Sequence, residues 1–253
     1  MAVLAVIPAR LGATRLPRKP LRLLGGAPLV VQVWRRVAAL PAIDRCVVAT
    51  DSEEVRSALA AEGAECVLTR DDHASGTDRV AEVASGDAYR GYEIVVNVQG
   101  DEPFIASEAI RGATDLVASG RFELSTASAP ASPAILGTPH VVKVVTADDG
   151  RALYFSRAEI PFLREEGDAL LQAGTVRQHI GIYAYRRDAL ARWVALPEHR
   201  LERIERLEQL RPLAAGMSMG VAATADVAPP GVDTEEDLAH ANARWDDFIA
   251  RRR

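Results

Sequence analysis

Short apolar runs recur along the first hundred residues, each followed by a stretch whose apolar positions fall three and four apart. Residues 3–9 (VLAVIPA), 45–50 (RCVVAT), 65–69 (ECVLT) and 93–99 (EIVVNVQ) predict buried strands. Between them, residues 28–40 open on a proline and carry an apolar stripe, which predicts a helix. Residues 52–63 (SEEVRSALAAEG) have a serine cap, an acidic first turn and a closing glycine. Residues 75–85 (SGTDRVAEVAS) read as a loop running into a helix. Strand–helix alternation of this kind predicts an α/β fold, a mostly parallel, doubly wound sheet covered on both faces.

The second half is less regular. Residues 140–157 predict two strands joined at a DDG turn, and residues 179–187 alternate as a strand. Residues 200–216 predict one helix, with Leu201, Ile204, Leu207 and Leu210 on a stripe. Residues 217–225 predict a strand and residues 233–252 a closing helix, the terminal Arg-Arg-Arg being its solvated end. With no repeat, low-complexity tract or linker, the pattern reads as a single domain over 1–253 with an insertion spanning roughly 130–190.

Composition narrows the function classes. A chain of 253 residues with 48% hydrophobic and 26% charged residues is ordinary globular material. A formal charge of −5 argues against a nucleic-acid partner, which calls for a basic face. No apolar run approaches the length of a membrane span, and the start MAVLAVIPAR lacks the layout of a signal peptide, so no membrane association is expected. Cys46 and Cys66 lie in apolar runs without metal or disulfide spacing, and are expected to be buried, reduced thiols of a cytoplasmic protein.

In doubly wound sheets ligands bind beyond the carboxyl ends of the strands. There the sequence places 9–21, 50–54, 69–79 and 99–103, each rich in charged and turn residues. Arg10, Arg15, Arg18 and Lys19 follow the first strand within ten residues. Such crowding needs solvent or an anion, and a triphosphate is a natural counter-charge. The loop is neither a Walker A nor a dinucleotide fingerprint, since no second glycine stands five residues after Gly12. In 99–102, Gln99 and Gly100 precede Asp101 and Glu102; a carboxylate there suits a hard cation, or else caps the next helix. Thr234 and Asp237 have capping-box spacing, which leaves Asp233 free for another duty. His179, Tyr183 and Tyr185 share a strand face, fit for a polyhydroxylated ligand or for ordinary half-buried packing. Arg157 sits among apolar neighbours and needs a carboxylate, from the protein or a ligand. Glu208 and Gln209 fall on the 200–216 helix, a largely charged one.

Taken in order, IPARLGATRLPRKPL, VATD, TRDDHASGTDR, VNVQGDEP, VKVV, ALYFSRAEIP, HIGIYAYR, LEQLR and GVDTEEDL resemble the 3-deoxy-manno-octulosonate (Kdo) cytidylyltransferases over nearly the whole chain. The resemblance implies a Rossmann-like nucleotidyltransferase fold with an inserted sugar-binding and dimerisation segment. It also implies a homodimer and Mg2+ dependence. The implied reaction is transfer of CMP from CTP to the anomeric hydroxyl of Kdo, with release of pyrophosphate, for lipopolysaccharide biosynthesis. Carried over residue by residue, it implies phosphate binding by Arg10, Arg15 and Lys19. The nucleoside pocket would be Pro8, Ala9, Arg70, Ser75 and Gly76, and the metal carboxylates Asp101 and Asp233. The sugar-acid pocket would be Arg79, Gln99, Arg157, His179, Tyr183, Tyr185, Glu208 and Gln209. Two positions depart from the family loop Ser-Thr-Arg-Leu-Pro-Gly-Lys: Ala13 replaces the serine and Arg18 the glycine.

The implied chemistry is in-line attack on the α-phosphorus, with catalysis through positioning and charge stabilisation and no evident side-chain base. Three other readings stand beside it. The acceptor could be an 8-amino analogue of Kdo. It could be a sialate, against which LEQLR and FSR speak. Or the chain could be a catalytically silent nucleotide-binding regulator, against which Lys19, Asp101 and Asp233 speak. A dehydrogenase is remote without the glycine fingerprint.

Overall fold

The computed structural model describes residues 1–12, 15–131, 133–162, 164–165, 176–225 and 231–250. Ala13, the C-terminal arginines and part of the expected 130–190 insertion therefore lie outside the described residues. The chain forms two compact units: Ala2–Tyr92 with Asn97–Ile105 and Pro229–Arg253, and Met1 with Glu93–Val96 and Ala106–Ala228.

In the first of these, β1 (Val3–Ala9) lies parallel to β4 (Arg45–Thr50), and β4 parallel to β5 (Cys66–Leu68). The register runs Leu4 to Arg45 and Ala9 to Thr50, so the strands end together and the loops after them share one edge. The apolar runs are continuous because both faces are covered, and Leu4 to Ile7 are fully buried. A hairpin of β2 (Leu23–Leu24) and β3 (Ala27–Pro28) leads into α1 (Leu29–Ala38).

The helix starts follow local chemistry. The Ser52 side chain accepts from Val55 N–H and opens α2 (Glu53–Ala60). Ser75 and Asp78 form a reciprocal capping box at the start of α3 (Gly76–Ser85). Thr234 and Asp237 do the same for the closing helix α8 (Glu235–Ala250). A core cluster of Leu16, Leu24, Leu29, Phe104, Val232, Leu238, Ala241 and Trp245 joins the first loop, the segment after residue 99 and α8.

The other unit holds β6 (Ile94–Asn97), α4 (Ser107–Ala118), β7 (Leu124–Pro130), β8 (Lys143–Thr146), β9 (Ala152–Ser156), β10 (Arg177–Arg186), α5 (Arg187–Ala195), α6 (Arg200–Glu205), α7 (Leu210–Ala214) and β11 (Met219–Ala223). Its strands run in the order β11-β7-β10-β6, with β8 joining β10 and β9. β7 and β10 are antiparallel, β11 and β7 parallel.

The single helix expected over 200–216 is a correction. It is two short helices broken at Arg206, whose φ of 55° is left-handed. The break brings Arg211 back onto Glu202 in a two-pronged pair at 2.6 and 2.8 Å, both side chains largely buried. The expected stripe is consequently not shared: Leu207 and Leu210 are buried, while Ile204 is 76% exposed. Cys46 and Cys66 are free thiols, but partly rather than fully buried. Burial pushes their pKa values up, to about 12 and about 11.

Candidate active site

Beyond the carboxyl end of β1 lies a cavity of about 400 Å³. Its wall includes Pro8, Ala9, Arg10, Arg15, Lys19, Ser75, Gly76, Arg79, Gln99, Asp101 and Asp233, all from one compact unit. The structure therefore brings together most of the residues singled out for phosphate, nucleoside and metal, plus Arg79 and Gln99 from the sugar set.

Lys19 Nζ donates to Asp101 Oδ2 at 2.6 Å and to Asp233 Oδ1 at 2.8 Å. Arg15 reaches the other oxygen of Asp233 at 2.9 Å. Three neighbours in the core cluster cause this convergence. Leu16 lies one turn before Lys19, Phe104 three residues after Asp101, and Val232 immediately before Asp233. Val232 N–H also donates to Asp101 O at 2.9 Å. Burial draws the Lys19 pKa down, but the two carboxylates outweigh it and hold it above the usual range.

Asp101 does not cap α4, whose N-cap is Ala106, and Asp233 leaves the capping of α8 to Thr234 and Asp237. Both carboxylates are thus committed to the cavity. They reach a single cationic centre with hard oxygen donors, a donor set that fits Mg2+. Beside them, Glu102 has its carboxyl pushed up to about 8, by burial and by the nearby Asp101 and Asp233 charges. The sequence places Glu102 beside Asp101, but the metal role implied by the resemblance falls on Asp101.

The side of the cavity expected to take the nucleoside is lined by the start of α3. Gly76 sits where a Cβ would meet the Pro8 ring at 3.5 Å, so the helix start lies in van der Waals reach of the end of β1. Ser75 is occupied as the N-cap of that helix. Arg79 is buried and donates to Asp51 Oδ2 at 2.8 Å and to Thr69 Oγ1 at 2.5 Å. Its charge is matched within the protein by Asp51, a residue the sequence reading had not picked out. Gln99 Nε2 reaches Asn97 Oδ1 at 3.4 Å. Arg70 is exposed and pairs with Asp72; it is not among the residues lining the cavity. His73 does line the cavity and went unremarked, because a lone histidine carries no spacing signal.

Arg18 adds no cation to the cavity wall. Its guanidinium pairs with Glu54 on α2. Its φ of 58° is left-handed, a conformation for which glycine is the unstrained residue. That is the physical reason a glycine suits this position in the family loop.

The remaining sugar-set residues belong to the other unit. Arg157 donates to the Glu205 carbonyl at 2.8 Å, Pro139 O at 3.1 Å and Arg206 O at 3.4 Å. Among the described residues, backbone carbonyls rather than a carboxylate answer its guanidinium, while the Glu205 carboxylate takes the Arg157 backbone N–H. Lys143 is fully buried, and its Nζ donates to Thr138 O, Val141 O and Arg157 O. Burial lowers its pKa.

On β10, Tyr183 and Tyr185 are 4% and 0% exposed and pack edge-on against Trp193. The shared face exists, with a bulge between Ile180 and Tyr183, but it turns inward. His179 Nε2 lies 2.8 Å from Thr126 Oγ1, whose hydroxyl also lies 2.7 Å from Ile182 O. The hydroxyl donates to the carbonyl, so His179 Nε2 donates to the hydroxyl. Burial lowers its pKa to about 3. Glu208 and Gln209 lie in the turn before α7 rather than on one long helix, again a correction. Gln209 is 2% exposed, and its buried Nε2 has no hydrogen-bond partner among the described residues.

A parallel α/β unit with a cation-rich loop after its first strand, and two carboxylates paired with that loop in the wall of a nucleotide-sized cavity, has the make-up of a nucleotidyltransferase-type site. The comparisons make the class specific. A cytidylyltransferase family profile matches residues 4–219. A 3-deoxy-manno-octulosonate cytidylyltransferase of Gemmatimonas aurantiaca is 60% identical over 246 residues, covering 97% of this chain and 95% of that one. One from Xanthobacter autotrophicus is 49% identical, covering 95% and 92%. A solved CMP:2-keto-3-deoxy-manno-octonic acid synthetase complexed with CTP superposes with a TM-score of 0.90 at 37% identity, covering 98% of this chain and 99% of that one. The chain belongs to the cytidylyltransferase family, and its fold is the Rossmann-like, mostly parallel α/β fold of that synthetase. Among the described residues no helix is long and apolar enough to cross a membrane.

Proposed function

We propose that the chain transfers CMP from CTP to the anomeric hydroxyl of 3-deoxy-D-manno-octulosonate, releasing pyrophosphate, as a Mg2+-dependent cytoplasmic homodimer working as one catalytic domain with its insertion at roughly 130–190. The observation that carries the reading is the convergence of Lys19 and Arg15 on Asp101 and Asp233, in a cavity that also holds Arg10. The relatives named for this reaction support the acceptor and the nucleotide.

In this reading Arg10, Arg15 and Lys19 bind the β- and γ-phosphates and offset the charge that builds on departing pyrophosphate. Pro8, Ala9 and Gly76 form the wall on which the nucleoside lies, with Ser75 and Asp78 fixing the helix start behind it. Asp101 and Asp233 would hold a divalent ion, which would supply Lewis-acid polarisation of the α-phosphate and a lowered pKa for the attacking hydroxyl. For the sugar acid, the buried unpaired Gln209 amide is a ready donor, and Arg157, His179, Glu208 and the Tyr183–Tyr185 pair complete the proposed set.

The test is pyrophosphate release by purified protein with Mg2+, each of the four ribonucleoside triphosphates, and Kdo or its 8-amino analogue. Release with CTP and Kdo is expected. Release with the amino sugar alone would move the acceptor, and CTP binding without release from any pair would favour a regulator.

A further inference from the structure

The cavity lining contains two chemically different sets of residues. Arg10, Arg15 and Lys19 supply cations from the loop after β1. The stretch His73-Ala74-Ser75-Gly76 carries no lysine or arginine, and the charge of Arg79, which also lines the cavity, is matched by Asp51. A nucleoside triphosphate that places its phosphates on the cations leaves its base toward this uncharged wall.

His73 stands on that wall with its side chain only 8% exposed. Its Nε2 is in short contact with Glu82 Oε2, and the same oxygen takes the Arg70 N–H at 3.3 Å. Glu82 on α3 thereby ties down the 70–73 stretch, while the Ser75–Asp78 box anchors its far end. A carboxylate only accepts, so Nε2 must carry the proton. In neutral imidazole that leaves Nδ1 as an acceptor. Among the described residues Nδ1 has no hydrogen-bond partner.

Cytosine and uracil differ at position 4, where one carries an amino donor and the other a carbonyl acceptor. We propose that His73, held in the Nε2–H form by Glu82, is a specificity-determining residue: its Nδ1 accepts from the amino group of cytosine and disfavours the carbonyl of uracil. Glu82 is then a positioning residue acting through the tautomer. The inference rests on the cytidylyltransferase reading above and deepens it.

The experiment compares kcat/KM for CTP and UTP, by pyrophosphate release with Kdo, in wild type, His73→Ala and Glu82→Gln. A glutamine at 82 can donate to Nε2 and so allows the proton to sit on Nδ1, turning the acceptor into a donor. The CTP/UTP ratio is expected to fall about tenfold or more in both variants, the scale of one lost or reversed neutral hydrogen bond. The loss should lie in KM for CTP, and in Glu82→Gln the UTP reaction should improve. A ratio within twofold of wild type, or an equal loss for both nucleotides, overturns the proposal. Should either variant misfold, nitrogen NMR of histidine-labelled wild type decides without it: CTP must shift the His73 Nδ1 resonance and UTP must not. Failure of wild type to turn over CTP at all would instead sink the underlying reading.

Discussion

Replacing Lys19 by methionine isolates the cation that joins the two carboxylates. Lys19 Nζ lies 2.6 Å from Asp101 Oδ2 and 2.8 Å from Asp233 Oδ1, with Lys19 16% exposed and the aspartates 32% and 39%. Without the ammonium, two carboxylate oxygens no more than about 6 Å apart repel by about 3 kcal/mol at an effective dielectric of about 20. Their partial exposure screens this to about 1–2 kcal/mol. At about 2–4 °C per kcal/mol for a domain of this size, the variant should unfold about 2–8 °C below wild type in EDTA. Because the ammonium competes with a divalent ion for the same oxygens, millimolar Mg2+ without nucleotide should raise the variant more than wild type. Thermal unfolding by circular dichroism reads both effects, and Lys19→Arg, which keeps the charge, should recover most of the EDTA value. A Lys19→Met protein as stable as wild type in EDTA, or with the same Mg2+ increment, would refute the bridging role.

Asp101→Asn should reduce pyrophosphate release by at least about a thousandfold with an unchanged circular dichroism spectrum; a near-normal rate would remove it from the metal set. His179 is neutral in the fold, with a pKa of about 3 against about 6.5 unfolded. The unfolded chain therefore gains a proton first, and stability falls as pH drops below about 6.5. His179→Gln should flatten the stability profile between pH 7 and 5 by about 2 kcal/mol, and an unaltered slope in denaturant titrations would contradict the burial. Arg18→Gly should relieve a left-handed strain of about 1 kcal/mol while losing an exposed pair of about the same size or less. Melting temperature should then stay within a few degrees and the KM for CTP within about threefold; a larger rise in KM would place Arg18 on the phosphates.

Much of the first unit is legible in the sequence because its signals are local. The serine at 52, the Ser75–Asp78 box and the Thr234–Asp237 box work over three residues, and each starts its helix where the sequence places it. The apolar runs of β1 and β4 mark strands covered on both faces. β7 escaped the hydrophobic pattern: Ser125, Thr126 and Ser128 are buried there because Ala113 O, Ile182 O and the Arg177 guanidinium satisfy their hydroxyls. The helix break at Arg206 was equally invisible, since what favours it is the return of Arg211 onto Glu202.

The sequence alone determined the α/β class, the cation-rich loop after β1, and the freedom of Asp233 from capping; that Asp101 is no cap came from the structure. Only the tertiary structure decided that Lys19 meets Asp101 and Asp233, which lie 82 and 214 positions away. It also turned Tyr183 and Tyr185 inward and gave the Arg79 charge to Asp51. A cap is written in neighbouring residues, whereas a bridge between distant charges exists only once a core such as Leu16, Phe104 and Val232 has closed around the chain.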